Sequence, residues 1–246
     1  LNDACIHYQF TRLQQTHDPS ATSILFLDPA VVSFLMHQVE DEDEMRDFTA
    51  GYHNFESTKR IFVPINDNMG SQHWQTPGLG SHWSLLWVLL SPASSLSASS
   101  AAGEGTATPS FFHFDSVTGS SNQKAAHAIA TKLNQALNMT HMQQHAQEHE
   151  HPSVQSDLEQ PTVEIQVHQC ASPQQRNGYD CGMHVLANAQ VLVDCPETKL
   201  IGIDNTHVTG LTDVLEQRLI SRSLSFAERL RAEIAQDIRL RSASAL

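Results

Sequence analysis

Cys181 follows a polar turn, residues 174–179, and opens an apolar run, GMHVLANAQVLV, with the length and composition of a helix. Its thiol is therefore expected in a first helical turn, where unpaired N–H groups and the positive end of the helix dipole favour thiolate. Gly182 lets another backbone come close, and Asp180 is a candidate cap. A single cysteine is more often a buried packing residue than a nucleophile, so position alone leaves both readings open. The chemistry in question is acyl transfer through a thioester, which needs a base and a group to orient that base.

The chain has 15 histidines, so geometry must choose among them. Residues 82–90 (HWSLLWVLL) and 111–116 (FFHFDS) both read as strands. Paired as an antiparallel hairpin with Leu90 opposite Ser110 or Phe111, they place His82 opposite about residue 118 to 119, within reach of Asp115 given strand twist or a bulge. His82 then takes the thiol proton while Asp115 holds its other ring nitrogen. His73, beside Trp74, repeats the His82–Trp83 pair but lies in a Gly/Pro-containing loop and overshoots the hairpin end. His113 alternates onto the face of Phe111 and Asp115, which suits packing or support of the site. Gln175, across the turn from Cys181, offers a side-chain amide to an oxyanion beside the Cys181 N–H. Alone, it would be an ordinary loop glutamine.

The elements that must position these groups follow from pattern. Residues 1–15 have roughly helical apolar spacing, and Asp28-Pro29 opens a helix with Asp as N-cap and Pro at the first position. The acidic run after it, DEDE, reads as a solvated stretch. Residues 60–65 (RIFVPI) read as a strand, 122–138 as a helix with Ala126, Ile129, Ala130, Leu133 and Leu137 on one face, and 163–169 as a strand. A last amphipathic helix covers 224–242. Two low-complexity insertions interrupt the pattern, at about 91–110 (Ser/Ala/Gly) and 141–161 (His/Gln). Helices, then strands, then helices point to an α+β fold in one domain spanning 1–246.

Composition bounds the function. A length of 246 residues suits one core, and a formal charge of −13 disfavours nucleic acid or an anionic membrane as partner. The longest apolar run, residues 85–90, is far short of a bilayer span. The four cysteines, Cys5, Cys170, Cys181 and Cys195, show neither a disulfide framework nor zinc-ribbon spacing. A reducing compartment, cytoplasm or nucleus, is expected. His141, His145, His149 and His151 with Glu148 and Glu150 lack fixed ligand geometry, so no metal is expected. No G-x-S-x-G elbow supports a serine hydrolase.

HWSLL, FFHFDS and QRNGYDCGM, in that order, resemble the Ulp/sentrin-specific cysteine proteases, which process ubiquitin-like modifiers and remove them from lysine side chains. The resemblance covers most of the chain outside the two insertions. It implies a papain-like α+β fold: a central, mostly antiparallel sheet flanked by helices, with the nucleophile at a helix N-terminus. It also implies His82 as base, Asp115 as orienter, Gln175 as oxyanion donor, Cys181 as nucleophile, and no cofactor. Trp83 matches the tryptophan that roofs the channel for the modifier's Gly-Gly tail, although core packing would account for it equally.

Within the family the deneddylase branch fits best, through INDN (65–68), Ser84, FFH ahead of Asp115, and Tyr179 in YDCGM. Tyr179 is thereby a candidate substrate contact. Asn177-Gly178 equally resembles the SUMO-directed branch. Leu1-Asn2-Asp3 resembles the segment after a second channel tryptophan, which makes Asp3 a candidate tail contact and a family strand before residue 1 the expected missing piece. The expected partner is a ubiquitin-like modifier, NEDD-type preferred and SUMO as alternative, with its conjugates. A binding module of weakened catalysis is the rival class, but a pure binder has no need of all four site groups.

Overall fold

The computed structural model describes residues 3–20, 22–51, 58–68, 80–90, 109–120, 122–148, 165–195, 201–204, 207–211, 219 and 224–244. A five-stranded sheet carries the architecture: β1 (Ile24–Phe26), β2 (Arg60–Asn66), β3 (Trp83–Leu90), β4 (Pro109–Phe114) and β5 (Val167–Cys170), adjacent in chain order. The three central strands pair antiparallel, whereas β1 joins β2 and β5 joins β4 in parallel. The sheet is thus mixed, antiparallel at its centre and parallel at both edges. Parallel neighbours require crossovers. α2 (Pro29–His37) and α3 (Glu42–Ala50) lie between β1 and β2, and α4 (Asn122–Glu148) lies between β4 and β5. Pro64, which has no N–H to give, sits in β2 past the three residues that β1 pairs.

Alternation along the central strands sends side chains into two cores. Phe62, Leu85, Trp87, Leu89, Phe112 and Phe114 face one side, where α1 (Asp3–His17), α5 (Cys181–Val193) and α6 (Leu224–Ser244) cover them. Ile61, Val63, Ile65, Leu86, Val88 and Phe111 face the other, against α2, α3 and α4. α5 is buried nearly all round, from Cys181 to Ala189 and again from Val191 to Val193, because it is held between β3 on one side and α1 and α6 on the other. Among the described residues no helix is long and apolar enough to cross a membrane.

Local chemistry sets the helix ends. The Asp28 side chain accepts the Ala30 N–H at 2.7 Å and Pro29 begins α2. The acidic run expected to be only solvated starts α3 instead. Asp41 accepts the Glu44 N–H at 2.9 Å, and the Glu44 carboxylate reaches back to the Asp41 N–H at 3.3 Å, a capping box. The far end of α2 is closed by a residue from another element: Lys132 Nζ, on α4, donates to the carbonyls of Leu35, Met36 and Val39 at 3.0, 3.1 and 2.5 Å. The apolar face expected on 122–138 is buried, and α4 continues to Glu148, into the tract read as a low-complexity insertion. Residues 149–161 of that tract and 91–108 of the first insertion lie outside the described residues, while Pro109 and Ser110 belong to β4. A small hairpin, β6 (Ile201–Asp204) with β7 (His207–Leu211), had no counterpart in the sequence reading.

Candidate active site

In the β3–β4 register Leu85 faces Phe114, so the residues just before β3 and just after β4 emerge at the same end of the sheet. His82 and Asp115 are those residues. The hairpin is shifted by one or two positions from the expected pairing, with Leu90 opposite Pro109, and this brings His82 closer to Asp115. His82 Nε2–H donates to Asp115 Oδ1 at 2.6 Å, and both side chains are nearly buried. The Cys181 thiol, at the N-terminus of α5, is hydrogen-bonded to the same imidazole. With Nε2 taken by Asp115, Nδ1 is the atom that serves the sulfur. The structure therefore brings His82, Asp115 and Cys181 together. His73 lies outside the described residues.

Each partner tunes the others. Burial disfavours charge on His82, but the hydrogen bonds to Asp115 and Cys181, with their charges, outweigh it and push the imidazole up to about 9. Burial likewise pushes the Cys181 thiol up. The His82 hydrogen bond and charge, with the backbone N–H groups of Trp83 and Gly182, bring it below its ordinary range. Asp115 is held below the usual carboxylate range against its own burial by His82, by the Ser120 hydroxyl on Oδ2, and by the Val117 N–H at 2.8 Å on Oδ1. The shifts run toward a thiolate–imidazolium pair with a fixed carboxylate behind it, the electronic state that nucleophilic attack followed by proton donation needs.

The segment from residue 172 to 180 is tied to the loop after β4. Gln174 Nε2 donates to the Asp115 carbonyl at 3.1 Å, and its Oε1 accepts from the Thr118 N–H and hydroxyl at 3.1 and 3.0 Å. Gln175 Oε1 accepts the Ser116 hydroxyl at 3.0 Å, and Nε2 donates one hydrogen to the Asn177 carbonyl at 2.8 Å. A primary amide has two N–H groups. These bonds leave the second N–H unused.

Other expected residues fall at graded distances from the chemistry. Trp83 is buried in the same core as Cys181, and its backbone N–H reaches the sulfur, a role its side chain gave no sign of. Tyr179 is 62% exposed, two residues before the thiol. Asp3 is exposed at the start of α1, which packs on α5. His113 lies on the α4 side of the sheet, where its Nδ1–H donates to Gln169 Oε1 and its Nε2 accepts from Ser84, both at 2.8 Å. Burial keeps this imidazole below its ordinary value and thus neutral. Among the described residues no three His, Cys, Asp or Glu side chains gather to hold a metal.

Asp67, within INDN, has a role that the motif alone does not announce. Its Oδ1 accepts the Ser81 and His82 N–H groups at 2.6 and 3.0 Å, which fixes the backbone from which the imidazole projects. Gly80, with φ of +101°, makes the turn into this clamp, and a Cβ there would collide with the Asn66 amide. Ser120 and Asn122 were also missed. Asn122 Nδ2 donates to the Ser84 hydroxyl at 3.0 Å and to the His82 carbonyl at 3.4 Å. A serine five residues past an aspartate carries no motif, so only the folded loop reveals it.

The chain is similar to known proteins. A protein of Arabidopsis thaliana described as NEDD8-specific protease 1 is 26% identical over 195 residues, covering 79% of this chain and 66% of that protein. The probable sentrin-specific protease 8 of Dictyostelium discoideum is 27% identical over 214 residues, covering 85% of this chain and 70% of its own. The chain thus spans about two thirds of the length of these relatives. Among solved structures, a de-sumoylating protease shares the fold with a TM-score of 0.61 at 15% identity, over 100% of this chain and 83% of that one. Residues 2–220 match the Ulp1 protease family, C-terminal catalytic domain, and the chain belongs to that family of cysteine peptidases.

Proposed function

We propose that the chain is a cysteine protease and isopeptidase that cleaves after the C-terminal Gly-Gly of a ubiquitin-like modifier, acting on precursors and on lysine conjugates. One observation carries the reading: the Cys181 thiol and the Asp115 carboxylate both bond His82, whose pKa is raised to about 9 while that of the thiol falls. The Cys181 thiolate attacks the carbonyl of the terminal glycine. Negative charge collects on the carbonyl oxygen, where the Cys181 N–H and the second Gln175 N–H stabilise it. The C–N bond breaks as His82 Nδ1–H protonates the leaving lysine amine, giving a thioester. Water then adds to the thioester as His82 takes its proton, and the thiolate leaves with the modifier's carboxylate released. Tyr179, Trp83 and Asp3 are the proposed contacts for the modifier's tail. A thiolate of this kind works in a reducing compartment, and we place the chain in cytoplasm or nucleus.

The NEDD-type modifier is the proposed substrate. INDN, Ser84 and Tyr179 support it, as does the similarity to a protein named NEDD8-specific protease 1. Asn177-Gly178 favours a SUMO-directed enzyme as the second reading. The test is labelling of purified protein with electrophilic C-terminal probes made from the NEDD-type modifier, SUMO and ubiquitin. Fastest labelling by the NEDD-type probe, abolished in Cys181→Ser, is the expected result. Faster labelling by SUMO would move the substrate and keep the chemistry. Binding without labelling by any probe would reduce the chain to a modifier-binding module.

A further inference from the structure

Asp180 stands where a short acid normally caps a helix, one residue before Cys181, and a cap was expected of it. Its side chain makes no bond to the first turn of α5. Oδ2 instead accepts Asn177 Nδ2–H at 2.6 Å, and Oδ1 meets the Arg231 guanidinium of α6 in an ion pair whose carboxylate is 4% exposed. The same guanidinium lies over the Tyr179 ring, 5.3 Å from its centroid. An unpaired buried carboxylate beside the thiol would oppose thiolate formation, and a capping carboxylate would neutralise the positive end of α5. Here the carboxylate neither caps α5 nor stands unpaired, because α6 brings a cation to it.

Resting on the reading of Cys181 as nucleophile, we infer that Arg231 is a positioning residue for it: Arg231 draws the Asp180 carboxylate off the first turn of α5 and cancels its charge, so that the turn's N–H groups serve the sulfur. The Gly182 N–H already does so. The surrounding ionisable groups leave this task to Arg231. From the β3–β4 end His82 faces the thiol, with Asp115 behind it. His184, one turn further along α5, is kept neutral by burial. On the α1 side, Arg12 and the Tyr8 hydroxyl both engage Asp237 of α6.

The experiment is the pH dependence of Cys181 alkylation by iodoacetamide, read on the Cys181 peptide by mass spectrometry, with far-UV circular dichroism to establish folding. In Arg231→Met the alkylation midpoint is expected to rise by about one pH unit or more. Adding Asp180→Asn to the same chain should return it to the wild-type value, and Arg231→Lys should hold it near wild type. An unchanged midpoint in folded Arg231→Met overturns the inference. If the single variant does not fold, the double variant decides: with neither charge present its midpoint must match wild type, and a raised one overturns the assignment. A wild-type midpoint at an ordinary thiol value would instead sink the nucleophile reading beneath it.

Discussion

The Asp115 carboxylate accepts from three groups: His82 and the Val117 N–H on Oδ1, and the Ser120 hydroxyl on Oδ2. Its main electrostatic effect is on the imidazole. Asp115→Asn removes the strongest of the influences that raise His82, so the imidazole falls from about 9 towards its ordinary 6.5. The imidazolium proposed to protonate the leaving amine is then lost at lower pH. The alkaline limb of kcat/KM, expected near pH 9 in the wild type, should move down, with activity near neutrality reduced by about 10²-fold or more. An unshifted limb would remove Asp115 from this role. The convergence of His82, Asp115 and Cys181 could be anticipated because strand pairing and a helix start fix positions through the backbone, while the family resemblance singled out these three residues. The Trp83 N–H and the Ser120 hydroxyl could not, since each acts through tertiary geometry that no spacing encodes. Asp180 misled for a related reason: its local preference as a cap lost to a partner 51 residues away in the chain.

At the scale of elements, Lys132 is the clearest case of one helix finishing another. Its ammonium takes three carbonyls at the end of α2, and burial draws its pKa below the ordinary lysine value. Lys132→Met keeps the stem and deletes the donor. It is expected to lower stability by about 1–3 kcal/mol in urea denaturation, because carbonyls that bonded a charged group lose it. A loss below about 0.5 kcal/mol would mean that water replaces the ammonium at no cost. α2, α5 and the β3–β4 hairpin were legible because an Asp-Pro start, an apolar helix and two apolar strands are strong local signals. α3 was overlooked although its capping box was spelled out by Asp41 and Glu44 ahead of the buried Met45 and Phe48. The β6–β7 hairpin was missed because four- and five-residue strands carrying Gly202 and Gly210 have no usable alternation. The parallel β1 edge was not legible because β1 is three residues long and pairs only with the start of β2.

At the scale of the whole molecule, one sheet serves two cores, so neither can be lost alone. Phe112 belongs to the core under α5, and Ile129 to the core under α4. Phe112→Ala should cost about 3–5 kcal/mol and Ile129→Ala about 2–5 kcal/mol. In both, loss of circular dichroism and loss of Cys181 reactivity are expected to coincide along one denaturation curve. Separate transitions would show that the two cores melt independently. The hairpin register has a further, practical consequence. β3 leaves His82 and β4 returns to Asp115, so Leu90, which pairs with Pro109 at the far end, stands about 27 Å from His82 along the strand at ~3.4 Å per residue. The join between them is a natural port for a reporter. A fluorescent domain spliced there in place of residues 91–108 should leave probe-labelling rates within about twofold of wild type, giving an enzyme that carries its own tracer at the end of the hairpin opposite its chemistry.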